Sequence, residues 1–262
     1  MSTHIEWLRE GEELETLCKR KVKIIEFEHD ENEDILNEWA KHLRNHYCKD
    51  ELIDEMRSGT GLSRAEYLRE LVFPEAAMVI SGDFAEILTA DYLEYMGHYV
   101  IPRIRYLDKF NKETSPNGTD IIGFKMYSVG QEISEHDKLI TCEVKARLVT
   151  KKEDVLQDSI THAKKDMFRL AETLNATKQR LKLYGETSQV QLIQRFQNKV
   201  ENPYTKVTSA AVVHSNEQWD PNFVSGKILD VQDVEDIYML VIKGDALMEV
   251  ARSLFRRASD EA

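Results

Sequence analysis

Between residues 139 and 148, Thr141, Glu143, Lys145 and Arg147 alternate with Ile140, Cys142, Val144, Ala146 and Leu148. A period of two means a strand with one apolar and one polar face, and the apolar face must be packed. No other stretch constrains the fold as tightly, because it sets both the element and the side on which every group stands. The polar face carries Glu143 and Lys145, two residues apart, in the chain's one Asp/Glu-x-Lys triplet. Contact with water explains such a face without further assumption, since half of an antiparallel strand is often wetted and the chain is 31% charged.

Two more carboxylates extend the pattern. Asp120 follows the polar, glycine-bearing turn Asn117-Gly118-Thr119 and stands at the mouth of the apolar run Ile121-Ile122-Gly123-Phe124. Taken alone, it reads as a turn residue bonded to its own backbone. Glu86 lies in a helical pattern with Ala90 and Leu93 at i+4 and i+7, so its face is small and apolar. A carboxylate on such a face needs a partner or a metal, a neighbouring arginine being the plainer choice. An Asp on one strand and Glu-x-Lys on the next are the groups a magnesium-dependent phosphodiester hydrolase requires. Magnesium takes hard oxygen ligands and keeps several waters. Asp120 and Glu143 are the expected direct ligands, with the Val144 carbonyl as a third oxygen, Glu86 for a water or second ion, and manganese as an alternative metal. Lys145 is expected beside the nucleophile and the scissile phosphate, where it offsets developing charge.

At 262 residues and 42% hydrophobic, the chain can bury one sizeable core, or one core with a smaller lobe. No apolar run reaches the ~20 residues of a membrane span, and the N-terminus lacks signal-peptide character, so a cytoplasmic location without membrane contact is expected. Cys18, Cys48 and Cys142 form neither a disulfide framework nor a Cys/His zinc spacing; reduced thiols are expected, with Cys142 packed in its strand. The net charge of -12 argues against coating nucleic acid by bulk electrostatics. Residues 145–182 nevertheless carry ten basic against five acidic side chains, either a solvated helix or a basic surface beside the site.

The first 75 residues are acidic and read as an accessory region: a strand at 21–28, a helix at 34–47, and a second helix at 63–72 after the Ser58-Gly59-Thr60-Gly61 break. Residues 83–96 follow as a helix stopped at Gly97. An extended segment at 99–106 is interrupted by Pro102, and a polar loop spans 109–118. Strands are expected at 120–127 and 139–148, then a long helix from about Asp154 to Asn175. Beyond an excursion of unassigned structure at 184–205 come strands at 207–214 and 237–242 and a helix at 246–257. There is no P-loop, GxSxG or HExxH. On the long helix, Gln157 is a candidate to face the site and His162 to approach DNA, a surface histidine being the plainer reading.

The set Glu86, Asp120, Glu143-x-Lys145 followed by a helix resembles the PD-(D/E)xK nuclease superfamily, except that Thr119 stands where the motif has proline. The runs Ser81-Gly82-Asp83-Phe84-Ala85-Glu86, Asn117-Gly118-Thr119-Asp120-Ile121-Ile122-Gly123-Phe124, Cys142-Glu143-Val144-Lys145 and Gln157-Asp158-Ser159-Ile160-Thr161-His162-Ala163-Lys164-Lys165-Asp166 resemble the HamA family, the nuclease subunits of bacterial Hachiman anti-phage defence. The resemblance implies an α/β, restriction-endonuclease-like core with a mixed sheet flanked by helices. Its motif-bearing part covers about residues 81–166; a nuclease domain at 76–262 and an acidic accessory region at 1–75, expected to contact the partner, are assigned by size and order. It further implies a DNA nuclease with Glu86, Asp120, Glu143 and Lys145 as catalytic residues, held in a heterodimer by a HamB-like helicase until foreign or damaged DNA releases it. The alternatives are a nuclease-fold module that binds DNA or a partner without cutting, and an unrelated α/β scaffold.

Overall fold

Among the described residues, seven strands form one mixed sheet in the order β1-β3-β7-β6-β5-β4, with β2 paired to β3. This is a computed structural model, and it describes residues 3–107, 109–127, 133–148, 155–232, 236–260 and 262. The strands are β1 (Leu8–Glu10), β2 (Leu14–Glu15), β3 (Lys21–Phe27), β4 (Ile121–Lys125), β5 (Lys138–Arg147), β6 (Thr205–Ser215) and β7 (Ile237–Gly244). The helices are α1 (Glu33–Tyr47), α2 (Ile53–Met56), α3 (Arg64–Tyr67), α4 (Ala77–Asp91), α5 (Val155–Met167), α6 (Leu170–Leu183), α7 (Thr187–Gln197), α8 (Pro221–Ser225) and α9 (Leu247–Asp260). Single π-helical turns, Leu68–Val72 and Tyr92–Met96, prolong α3 and α4.

The central strands β3, β7, β6 and β5 run parallel, while β4 returns antiparallel along β5. Parallel strands are stable when both faces are covered. Alternate residues of β6 accordingly join different cores: Ala211 and Val213 pack with α1, α4 and α9, whereas Ala210 and Val212 pack with Leu156, Ile160 and Ala163 of α5. The same parity places Ile140, Cys142 and Val144 of β5 in the first core, beside Phe84, Ile87 and Leu88 of α4. Glu143 and Lys145 therefore face the α5 side. That side is covered, so the wetted-face explanation of the triplet does not hold for Thr141 and Glu143, both of which are buried.

Residues 3–75 are continuous with the rest. β3 pairs with β7 from Val22↔Met239 to Phe27↔Gly244, and Trp39 and Leu43 of α1 share the core with Leu254 and Phe255 of α9. The predicted helices at 34–47 and 63–72 are present, the first capped by Asn32 and the second by a reciprocal Ser63–Glu66 capping box.

One expectation needs correction, and two segments gain detail. The long predicted helix is two helices, α5 and α6, separated at Phe168 and Arg169; the four-three periodicity continues across the break, but Leu170 and Leu174 pack in a different core from Leu156 and Ile160. Its expected start, Asp154, lies outside the described residues, as do Lys151, Lys152 and Glu153 of the basic stretch. The extended segment at 99–106 forms no strand and meets the sheet through one isolated bridge, Val100↔Phe124. The excursion at 184–205 contains α7, whose Ile193 and Phe196 are buried. Cys18, Cys48 and Cys142 are free, with Cys142 wholly buried. Among the described residues no helix is long and apolar enough to cross a membrane.

Candidate active site

β4 and β5 bring two of the expected carboxylates to one end of the sheet. Ile121 stands opposite Cys142 in the ladder, which puts Asp120, one residue before β4, at the level of Glu143. Gly118 has φ +101°, a conformation that side-chain-bearing residues rarely adopt, and this turn carries Thr119 and Asp120 into the sheet. The Val144 N–H then donates to Asp120 Oδ2 at 2.9 Å. On the same face of β5, Lys145 Nζ donates to Glu143 Oε1 at 2.6 Å.

The third carboxylate arrives from α4. Glu86 is buried, and its Oε2 accepts from Arg105 Nε at 2.7 Å and from the Tyr106 hydroxyl at 2.6 Å. Arg105 also donates to Asp120 Oδ1 at 2.7 Å and to the Thr119 carbonyl at 3.0 Å, so one guanidinium bridges Glu86 and Asp120. The bland sequence reading of Glu86, shielding by an arginine, is thus realised by a residue that joins it to the site.

Electrostatics follow from this crowding. Burial pushes the Glu86 carboxyl up to about 8, with Asp120 adding like charge and Arg105 opposing. Burial likewise pushes Glu143 up to about 7, with Asp120 adding and Lys145 opposing. Like charges at short range in a low-dielectric setting disfavour simultaneous ionisation, and nearby cations relieve this. Arg105 and Lys145 provide that relief.

α5 supplies the remaining wall. The Ser159 hydroxyl lies 2.8 Å from the Glu143 carbonyl and 3.2 Å from that of Ala211, which seats the helix on β5 and β6. Half-exposed His162 stands with Nδ1 3.3 Å from Glu143 Oε1, so it borders the site. Gln157 turns elsewhere, accepting the Asp230 N–H at 2.9 Å. Asp166 was not singled out from the sequence. Burial raises its carboxyl, with nearby Thr119 opposing, and its Oδ2 is buried with no hydrogen-bond partner.

Arg105 and Tyr106 were also missed. Their one sequence signal is a pair of arginines, Arg103 and Arg105, alternating with Pro102, Ile104 and Tyr106 in an apolar segment. The segment can approach β4 because Gly123 has no side chain: a Cβ there would lie 2.5 Å from Ile101 Cδ1 and 3.0 Å from Ile140 Cγ2.

The acids gathered here offer carboxylate oxygens, and the unpartnered Asp166 Oδ2 has spare acceptor capacity. Such a set fits a hard divalent cation of the magnesium class. A cavity lined by Glu86, Arg105, Asp120 and Arg180 opens beside it.

No curated protein matches the chain. The HamA family model matches residues 2–258, nearly the whole sequence. The chain therefore belongs to the HamA family and is a Hachiman defence-associated protein.

Proposed function

We propose that this chain is a metal-dependent nuclease of the PD-(D/E)xK kind, hydrolysing phosphodiester bonds in DNA as the effector of its defence system. One observation carries the reading: the Asp120 carboxylate is hydrogen-bonded to the backbone of the Glu143-Val144-Lys145 triplet, whose acid and lysine are themselves paired. The order α4, bridged segment, β4, β5, α5, β6 also resembles the core of that superfamily.

Asp120 and Glu143 would hold magnesium or manganese, with Glu86 and Asp166 within the same electrostatic neighbourhood. The chemistry an ion bound there would supply is activation of a water and screening of phosphate charge. Lys145 sits on the same strand face and presents an ammonium to the scissile phosphate, where fixed positive charge favours the transition state. Val144 N–H and Arg105 orient Asp120, and Tyr106 and Arg105 orient Glu86. His162 borders Glu143 on the outer side, within reach of a DNA backbone lying across α5.

The net charge of -12 fits a nuclease that binds free DNA poorly. A HamB-like helicase would restrain the subunit in a heterodimer and present DNA to it, with the acidic surface of residues 1–75 as the contact. The test is plasmid cleavage by the chain alone and with the helicase, in magnesium or chelator, beside Asp120→Asn and Lys145→Ala. Cleavage that requires magnesium and disappears in both variants supports the reading. Cleavage that survives either substitution contradicts it, and DNA binding without cleavage by the wild-type complex assigns the chain to the non-cutting module.

A further inference from the structure

Five residues along α4 from Glu86, Asp91 is wholly buried among nitrogen donors. His42 and His46 stand four residues apart on α1, which places both rings on one face of that helix. His42 Nε2 is 2.9 Å from Asp91 Oδ1, and the two imidazole Nε2 atoms are 3.2 Å from each other. One ligand atom from each of the three residues lies within 4.8 Å of the others. Zinc bonds of ~2.0–2.1 Å in tetrahedral geometry separate neighbouring ligand atoms by about 3.3 Å. Two of the three pairs, His42–Asp91 and His42–His46, are therefore close to the spacing that one ion would impose, and the third lies within 4.8 Å.

We propose that His42, His46 and Asp91 form a binding site for one transition-metal ion of the zinc class, which ties α1 to α4. The donor set, two imidazoles and one carboxylate, is one that zinc accepts and magnesium does not favour. A second layer steadies the carboxylate: His4 Nε2 lies 2.9 Å from Asp91 Oδ2, and the His4 ring stacks on Trp39 at 4.4 Å. Ligands held in this way by outer partners are poised for metal.

Access and charge are both accommodated. His42 is partly exposed, and His46 lines the cavity that also reaches Arg105 and Asp120. Arg103 is the competing cation, donating to Asp91 Oδ1 at 2.7 Å, but the same NH2 group is also held by Glu94 Oε2 at 2.6 Å. Glu94 remains as a partner for Arg103 when an ion takes Asp91. Three protein ligands leave the fourth position of a tetrahedron to a water.

This inference does not rest on the nuclease reading, because no ligand is shared. The experiment uses the full chain, both wild type and an Asp120→Asn/Glu143→Gln form that removes the other carboxylate site. Cobalt(II) is titrated as a visible-absorbing probe and displaced by zinc. The expected result is one equivalent bound in both forms, with the intense visible band of tetrahedral cobalt, and loss of that band in His42→Asn/His46→Asn. Should that variant fail to fold, the imidazole 15N resonances of His42 and His46 in the wild-type chain must shift on zinc addition. No stoichiometric uptake by wild type, undiminished uptake by a folded His42→Asn/His46→Asn chain, or unmoved imidazole resonances would overturn the proposal.

Discussion

Asp120 accepts the backbone N–H of Val144 at 2.9 Å, so the carboxylate of one strand end is anchored to the residue between Glu143 and Lys145. Its position relative to the triplet is thereby tied to the antiparallel ladder and does not depend on a flexible loop. The anchor separates two roles of the same side chain. Asp120→Asn keeps an oxygen for the Val144 N–H but removes the charge, so folding should be retained while magnesium-dependent cleavage is lost. Asp120→Ala leaves the N–H and the Arg105 guanidinium without their acceptor and should also lower stability, by about 1–3 kcal/mol. Chemical denaturation of both variants beside a cleavage assay checks the split; equal stability of the two would contradict the anchor.

Lys145 pairs with Glu143 yet remains partly exposed, so its chief contribution should be to the reaction. Lys145→Ala is expected to slow single-turnover cleavage by about 10²–10³-fold, the scale of losing one positioned charge at a transition state. Substrate binding should change far less. A rate within a few-fold of wild type would exclude the proposed role.

The Glu86 shift has a definite sign. Its carboxyl is raised from 4.5 to about 8 in the folded protein, chiefly by burial. The unfolded chain therefore loses this proton at lower pH than the folded one, and each rise in pH across that window favours unfolding. In chelator, the melting temperature should fall from about pH 4.5 to about pH 8 and then level off with respect to this group. Glu86→Gln should flatten the slope, and the difference between the two melting profiles isolates the residue. Matching profiles would show that Glu86 does not titrate in this way.

Gly123 is where the segment bearing Arg105 meets β4. A methyl group there would press on Ile101 Cδ1, Ile140 Cγ2 and Tyr99 Cβ. Gly123→Ala should cost about 1–3 kcal/mol, as overpacking of a tight interior does. It should also loosen the Arg105 bridge, so urea denaturation and the pH dependence of melting ought to change together. An unchanged midpoint would mean that the segment yields without strain.

The strands and most helices could be read from the sequence because their signals are local. Alternation in Leu139 to Leu148 gave the correct parity of Glu143 and Lys145, and the spacing of Ile35, Leu36, Trp39 and Leu43 marked α1. The break between α5 and α6 was not visible, because an apolar stripe continues through it and changes only the core it faces. The first 75 residues looked separable because of their acidity, yet acidity describes a surface; β3 lies inside the sheet because Val22, Ile24, Ile25 and Phe27 pair with and pack against distant strands.

The sequence by itself determined the residue types and their faces: Asp120 at a strand mouth, Glu143 and Lys145 on one side of β5, Glu86 on a largely apolar helix. Tertiary structure alone decided what those groups meet. It placed Arg105 between Glu86 and Asp120, set His162 and Asp166 of α5 beside them, and brought His42 and His46 to Asp91. The physical reason is that periodicity records which side of an element is buried, whereas charge compensation and ligand convergence depend on groups far apart in sequence that only packing brings within hydrogen-bonding distance.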